Sequence, residues 1–303
     1  MPACPRFVAA IALFAITLVP LKTPAVPNVH DRWPAFAPDG RSIAFQRSQG
    51  MSMDIYVVSL DGRVLRRLTH GSPGVLAMSA AWFPDGRHIL YTTTDATSDY
   101  PSGSFFEIPS EGGPPRALAP AGARGRSLSP DGSRLLFLTK AWEVAQLDLK
   151  TGGVTVLSRP APGTWDTEAA WSPDGKQIAF GCNFSPSPAI ARSDICVINA
   201  DGTGRRLLAN ENGAAEWVTW SPDGTQIAFQ RDANNYTSGE IVVRSIRTGA
   251  ERTISTNSGY TLNETPAWSP DGTWIALQVK TARGYRIALV HPDGSAFHLL
   301  TAE

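Results

Sequence analysis

The feature that most constrains this chain is a short stretch that occurs six times. It reads WSPDGKQIAF at residues 171–180, and five related stretches are spread over the 303 residues. The central aspartates are spaced at intervals of 43 to 49 residues: Asp39, Asp85, Asp131, Asp174, Asp223 and Asp271. A catalytic residue is not needed six times, so the motif predicts a repeated structural unit.

Each copy predicts a β-hairpin whose turn is built by P-D-G. Proline presets φ for the second turn position, aspartate bonds the neighbouring backbone, and glycine adopts the positive φ that closes the bend. The following I-A-F alternates large and small side chains, as a strand does. We therefore interpret the six aspartates as turn residues.

The remainder of each repeat predicts two more strands. A third strand ends in a second tight turn, as in DIYVVSLDG, and a fourth short strand follows, as in RVLRRLTH. Four strands repeated six times predict an all-β fold, a six-bladed β-propeller of four-stranded antiparallel blades. The repeats fall at about residues 31–70, 77–120, 124–159, 166–210, 216–256 and 264–302. The 24 Pro and 27 Gly fit such a fold.

The first 25 residues predict a signal peptide. Arg6 precedes an apolar run at residues 7–19, which is short for a membrane span but suits a leader, and cleavage is expected after Ala25. Residues 26–303 would then be a periplasmic or secreted propeller with no membrane span. The alternative is an uncleaved anchor, because Pro24 and Pro27 make a poor cleavage site.

The cysteines predict one disulfide. Cys4 would leave with the leader, and Cys182 and Cys196 lie on the second and third strands of the fourth repeat. Neighbouring antiparallel strands bring Cα atoms within bridging distance. The alternative is two free thiols, since strand register cannot be read to one residue. Two cysteines without neighbouring histidines do not complete a zinc site.

The charge pattern argues against a nucleic-acid or anionic-membrane partner. Lys plus Arg and Asp plus Glu each total 27, and no long run of like charge occurs. We expect a monomer that recognises a protein or peptide locally. No catalytic motif is found, so we do not expect an enzyme; the five histidines show no metal-binding spacing.

The motifs together resemble a known family. W-S-P-D-G-x-x-I-A-F, followed by D-I-Y-V-x-x-x-D-G and R-R-L-T, is similar to the TolB-like propeller repeat, also found in prolyl-oligopeptidase-type peptidases. The resemblance covers about residues 31–302. TolB also has an N-terminal α/β domain, which we expect to be missing here, so a Tol–Pal role that needs it does not follow. The G-x-S-x-G motif of the peptidases does not occur.

The resemblance is specific for fold, and the function is predicted from the variable face. The P-D-G turns lie on one face, here called the turn face; the longer loops and the links between repeats lie on the other, the crossover face. Variable loops on a rigid scaffold usually carry binding. The aromatic binding candidates on the crossover face are Trp165, Trp217 and Tyr260.

Two other functions remain alternatives to a protein-binding scaffold. The first is a periplasmic hydrolase or lyase that holds a metal in the central channel, which lacks support from a histidine cluster. The second is a polysaccharide-binding propeller, which needs exposed tryptophans on the crossover face.

Carboxylates recur at the start of the first strand in four repeats. They lie six to eight residues before the turn aspartate: Asp31, Asp166, Glu168, Glu216 and Glu264. We expect them to converge on the channel mouth and to favour Ca²⁺ or the basic part of a peptide. The alternative is that each carboxylate caps a loop or pairs with an arginine such as Arg32.

The chain is also expected to close its ring without exchanging strands. Each blade can be built from one contiguous repeat, so the first and last blades would be held together mainly by side-chain packing. Their junction is predicted to be the weak seam.

Overall fold

The computed structural model describes residues 28–71, 74–95, 103–121, 124–185, 192–209, 213–232, 238–255, 259–260 and 263–302. The predicted leader, with Cys4, lies outside these ranges. Every regular element in them is a β-strand, and the same ranges hold no helix long and apolar enough to cross a membrane. The all-β prediction is confirmed.

The strands follow the chain in sets of four, and we call each set a group. The first three groups contain these strands: β1 (Val29–Phe36), β2 (Ser42–Gln49), β3 (Ser52–Ser59), β4 (Leu65–Arg67); β5 (Val75–Trp82), β6 (His88–Asp95), β7 (Gly103–Pro109), β8 (Arg116–Ala121); β9 (Arg124–Leu128), β10 (Arg134–Leu138), β11 (Val144–Asp148), β12 (Val154–Val156). The last three groups contain these: β13 (Ala169–Trp171), β14 (Gln177–Ser185), β15 (Arg192–Asn199), β16 (Arg206–Ala209); β17 (Ala214–Trp220), β18 (Gln226–Asp232), β19 (Glu240–Ser245), β20 (Glu251–Thr253); β21 (Asn263–Trp268), β22 (Ile275–Thr281), β23 (Gly284–Val290), β24 (His298–Leu299).

Within each group the strands pair antiparallel with their sequence neighbours. Four groups form separate four-stranded sheets, and the first two join into an eight-stranded sheet. That join is one parallel pair, Met53 with Leu76. The last strand, β24, pairs with β23 inside its own group. The described strands therefore form four-stranded antiparallel units in a propeller arrangement, each contiguous in sequence.

The hydrophobic core lies between neighbouring groups. Second and third strands carry the most buried residues, and Phe45 and Phe180 are fully buried. Burying such a side chain stabilises the fold by roughly 1.5–3 kcal/mol. One cluster contains Ile43 and Phe45 of the first group with Ala276 and Ile287 of the last. Apolar packing thus closes the ring between the two ends of the described chain.

The P-D-G turns have the predicted hydrogen bonds. In the fourth group the Ser172 hydroxyl donates to Asp174 Oδ1 at 2.6 Å, and the Lys176 N–H donates to the same oxygen at 3.0 Å. The Gln177 N–H donates to Ser172 Oγ at 2.9 Å. These donors hold the pKa of the Asp174 carboxyl below its usual value. The motif aspartate is a turn residue.

The turns also contact one another around the ring. A Cβ placed on each motif glycine would lie 2.9 to 4.0 Å from the motif proline of the preceding group, and the first group meets the last in the same way. The six glycine–proline pairs are Gly40–Pro270, Gly86–Pro38, Gly132–Pro84, Gly175–Pro130, Gly224–Pro173 and Gly272–Pro222. Motif tryptophans add a further tie, since Trp82 Nε1 donates to Ala35 O and Trp220 Nε1 to Ala170 O.

The predicted Cys182–Cys196 disulfide is present, with the two Cα atoms 5.8 Å apart. The cysteines are diagonal rather than directly opposed, because Cys182 pairs with Asp194 and Cys196 with Phe180. Both sulfurs lie in the core between the third and fourth groups. Closing a loop of this length stabilises the fold by about 3 kcal/mol in the chain-entropy model.

Candidate functional site

The innermost strands of the six groups surround a central cavity of about 140 Å³. Its wall takes at least one residue from every group: Ala35, Ala80, Ser127, Ala170, Thr219 and Ala267. Small side chains predominate because the six strands approach one another most closely there. This cavity is the central channel of the propeller.

A backbone irregularity recurs in the channel wall. Four residues six positions before their turn aspartate have positive φ: Trp33 at 56°, Ser79 at 59°, Trp217 at 52° and Thr265 at 51°. The pairing register shifts at each of these places, as at a β-bulge. Left-handed backbone costs roughly 1–2 kcal/mol for a non-glycine residue, so its recurrence marks the crossover end of the channel as a specialised region.

Two charged residues line the cavity itself. Glu168 lies six residues before Asp174, the same spacing as the four positive-φ residues, and is half-buried. Arg126 lies five residues before Asp131, and its guanidinium is 5.8 Å from the centre of the Trp33 ring. Glu168 is therefore one residue closer to the crossover face than Arg126.

Two of the predicted rim carboxylates lie inside the ring wall. Asp31 is fully buried and accepts from Arg47 Nε at 2.6 Å and Nη2 at 2.8 Å. Asp166 is also fully buried, and Arg205 Nη2 lies 3.4 Å from its Oδ1. Burial raises the pKa of Asp166, although hydrogen bonds and Arg205 act in the opposite direction. Both carboxylates thus have an arginine partner within their own group.

The other two predicted carboxylates, Glu216 and Glu264, are buried at equivalent positions. Glu264 accepts a hydrogen bond from Gln278 Nε2. Burial raises the pKa of Glu264, while Gln278 and the positive charge of Arg32 lower it. The Arg32 guanidinium lies 4.0 Å from the centre of the Tyr285 ring. The mouth therefore carries charges of both signs.

The predicted aromatic residues pack into the crossover face. The rings of Trp165 and Trp142 lie 6.1 Å apart, and those of Tyr260 and Phe297 lie 5.9 Å apart. Trp217 occupies a bulge position. All nine tryptophans of the chain are buried or half-buried, so the structure does not supply the exposed tryptophans that polysaccharide binding requires.

Across the described ranges, no group of three or more His, Cys, Asp or Glu side chains is arranged to hold a metal ion. Asp31 and Asp166 have arginine partners, and Glu264 has a glutamine partner. Ca²⁺ binding therefore has no preformed ligand cluster among those residues.

Comparison with known proteins places the chain in a family. The model of the TolB beta propeller domain matches residues 21–222 and 129–303. The chain belongs to the TolB β-propeller family. This confirms the resemblance found in the repeated motifs.

Individual relatives share only part of their length with this propeller. The uncharacterized peptidase YuxL of Bacillus subtilis (strain 168) is 29% identical over 153 residues, which cover 50% of this chain and 22% of the relative. The Tol-Pal system protein TolB of Francisella tularensis subsp. mediasiatica (strain FSC147) is 26% identical over 162 residues, which cover 48% and 34%. The chain thus spans no more than about a third of the length of either relative.

Solved structures show the same fold at low identity. TolB from Acinetobacter baumannii superposes with a TM-score of 0.68 at 20% identity, covering 91% of this chain and 64% of that one. An oligogalacturonate lyase in complex with manganese superposes with a TM-score of 0.58 at 17% identity, covering 90% and 80%. At these identities the likeness concerns the fold alone.

One region of this TolB-family propeller has contacts that the sequence argument missed. The first and last groups meet at a junction, here called the closing junction, that was expected to rely mainly on side-chain packing. Arg286 is buried there and donates from Nε to Ala302 O at 2.6 Å and from Nη1 to Val29 O at 2.5 Å. The Tyr285 N–H points to His30 Nδ1 at 3.3 Å. Polar contacts therefore reinforce the packing.

A sequence signal for this arrangement exists. Arg286 directly precedes the first core residue of its third strand. The equivalent residues in the other five groups are acidic or small: Asp54, Ser104, Glu143, Asp194 and Glu240. Arg286 is thus the one basic residue at this position among the six groups.

Proposed function

We propose that this chain is an exported six-bladed propeller that binds a protein or peptide partner at the crossover end of its central channel. The complete ring of six glycine–proline contacts supports the blade number, with the eight-stranded sheet counted as two blades. The disulfide supports an oxidising compartment, periplasmic or extracellular, because such bonds persist there.

The functional proposal depends on the small volume of the channel. Pockets that enclose small molecules usually measure about 300–1,000 Å³, whereas this cavity measures about 140 Å³. It has room for a single side chain. The geometry therefore favours a partner that rests on the crossover face and inserts one residue into the mouth.

The charges at the mouth favour a basic inserted residue. Glu168 is half-buried in the cavity wall and lies nearer the crossover face than Arg126. A lysine or arginine entering from that face meets the carboxylate first. Arg126 is drawn towards the Trp33 ring, so it limits how deep a second cation can go. The alternative of a metal-dependent hydrolase or lyase is supported by shared fold alone.

Titration calorimetry with two short peptides tests the proposal. The probes are a blocked pentapeptide of alanines with a central lysine and its counterpart with a central glutamate. We expect the lysine peptide to bind more tightly, and Glu168→Gln to weaken it roughly tenfold, as loss of a hydrogen bond to a charged group does. Glu240→Gln, at an exposed carboxylate on β19, is the matched control and should have no effect.

Three results would overturn the proposal. These are equal affinity for the two peptides, an equal effect of Glu168→Gln and Glu240→Gln, and no heat of binding with either peptide. A strong, saturable response to Mn²⁺ or Ca²⁺ that Glu168→Gln abolishes would support the metal-dependent alternative instead.

A further inference from the structure

A second and larger cavity lies at the closing junction. Its volume is about 630 Å³, within the range of pockets that hold small organic ligands. The first group contributes Arg47, Val58 and Leu65 to the lining, and the last contributes Arg283, Arg286 and Leu300. The cavity is distinct from the central channel, with which it shares no lining residue.

The charged part of the lining is cationic. Among the residues that the structure describes, it contains three arginines and no aspartate or glutamate. Arg47 is paired with Asp31 through Nε and Nη2, so the N–H groups of Nη1 remain to contact a ligand. Arg286 donates from Nε and Nη1 to backbone carbonyls, so the N–H groups of Nη2 remain to contact a ligand. Arg283 is exposed and makes no ion pair with any residue in the described ranges.

The remainder of the lining is largely apolar. Val29, Val58, Leu65 and Leu300 line the cavity, and Leu65 is 47% exposed. Guanidinium groups bind carboxylates and phosphates through paired N–H donors, whereas aliphatic side chains favour hydrocarbon. A cavity with both arginines and aliphatic side chains favours a ligand that has an anionic group and an apolar chain.

We propose that this cavity binds an amphipathic organic anion. The anionic head contacts Arg283, Arg286 and Arg47, and the apolar chain lies against Leu65, Val58 and Leu300. Such a head and chain occur in a fatty acid, in an alkyl phosphate and in the last residue of a peptide with an apolar side chain. The occupant contacts both the first and the last group, so binding also stabilises ring closure.

The experiment uses three anionic probes on the mature chain. Octanoate, octyl phosphate and N-acetyl-alanyl-leucine represent the three sources, and octanamide is the uncharged control. We expect at least one anion to bind in calorimetry and to raise the melting temperature as its concentration increases, whereas octanamide does neither. The preferred anion identifies the source.

Two substitutions test the site without disturbing buried groups. Arg283→Ala should weaken binding about fivefold, the upper range for an exposed ion pair. Leu65→Glu should abolish binding, because a carboxylate then faces the ligand chain. The matched controls are Arg159→Ala, at an exposed arginine elsewhere, and Leu207→Glu, on β16, where the leucine is 48% exposed. Both controls should bind normally.

The proposal fails if no anion binds, if octanamide binds as well as octanoate, or if Leu65→Glu and Leu207→Glu have the same effect. Glu168→Gln should leave anion binding unchanged, so a failure of the channel proposal does not affect this result. Conversely, loss of anion binding in Leu65→Glu should leave the lysine peptide bound.

Discussion

The closing junction and the junction between the fifth and last groups share one glycine contact, yet different side chains reinforce them. Gly62 packs on Leu300 at the first, as Gly294 packs on Ile254 at the second. At the closing junction Arg286 of the last group donates to Val29 O of the first, whereas at the other junction the Asn263 N–H and Nδ2 both donate to Gly239 O. Consecutive groups are linked by the chain, whereas the first and last are not. At the closing junction the buried arginine therefore joins two groups that the chain itself does not link.

Two equivalent glutamines also differ between these junctions. Gln278 faces the closing junction, where its Oε1 accepts from the Trp33 N–H at 3.1 Å and its Nε2 donates to Glu264. Gln230 is the corresponding residue of the fifth group and is almost fully buried. Neither amide atom of Gln230 has a hydrogen-bond partner among the described residues. The glutamine side chain therefore makes two hydrogen bonds at the closing junction, and none with the described residues at the other junction.

The largest effect is expected from breaking the arginine contacts. Arg286→Ala removes three hydrogen bonds to backbone carbonyls from a buried site, and it should lower the free energy of unfolding by roughly 3–4 kcal/mol. Urea denaturation measures this value. Glu240→Ala, at the equivalent exposed position, should change it by less than about 0.5 kcal/mol. Similar losses in both variants would contradict a special role for the closing junction.

Removal of the disulfide tests a covalent tie away from the closing junction. Cys182→Ala with Cys196→Ala should lower the free energy of unfolding by about 3 kcal/mol. Hydrogen exchange should then show faster opening in β14 and β15, whereas Arg286→Ala should accelerate exchange in β1 and β23. If both variants accelerate exchange in the same strands, the two regions are not independent.

The two equivalent glutamines allow the two junctions to be compared with the same substitution. Gln278→Leu should lower the free energy of unfolding by about 2 kcal/mol, since it removes the acceptor of the Trp33 N–H and the amide donor to buried Glu264. Gln230→Leu replaces an unbonded amide by an apolar side chain of similar size, so it should be neutral or slightly stabilising. Thermal unfolding of the two variants gives the answer. If Gln230→Leu destabilises the protein as much as Gln278→Leu does, the proposed difference between the two glutamines is refuted.

The smallest effect is expected from the turn aspartates, which occur at both kinds of junction. Hydrogen bonds from Ser129 and Ser133 lower the pKa of Asp131 from 3.8 to about 2, and similar bonds lower that of Asp271. A lowered pKa contributes stability above the ordinary value, and this contribution is lost as pH falls from about 4 towards 2. Asp131→Asn and Asp271→Asn should each reduce that acid dependence, by less than about 1 kcal/mol because the groups are exposed.

Stability curves at pH 2 to 5 measure this effect. Comparison of each variant with the wild type removes the opposite contributions of Asp166 and Glu264, whose pKa values are raised by burial. Shifts in the same direction are expected for the two variants, because serine or threonine hydroxyls and backbone N–H groups hold both aspartates, although one turn lies at an internal junction and the other at the closing junction. A larger shift for Asp271→Asn would mean that the turns differ between junctions.

The fold was predictable because its signals are local and repeated. The P-D-G turn, the alternating I-A-F and the two cysteines each depend on neighbouring residues or on adjacent strands. Even so, the cysteines lie diagonally, a detail of register that spacing alone does not determine.

The site was less predictable because its contacts join residues that are distant in sequence. Asp31 and Glu168 both appear as carboxylates before a turn, but one is buried against Arg47 and the other lines the channel. That difference depends on where the folded backbone places each side chain, which the spacing before the turn does not determine. Likewise, Arg286 reaches Val29 across 257 positions, and a linear pattern shows only that the residue is unusual.

The glycine–proline ring on the turn face has a consequence for how such a chain can evolve. The proline of one motif and the glycine of the next form a contact, so selection acts on pairs that straddle two repeats rather than on single motifs. Gly132 is the tightest case, with Pro84 only 2.9 Å from the added Cβ. A repeat gained by duplication therefore fits only between neighbours that keep both halves of its contacts, and homologues should show covariation between successive motifs.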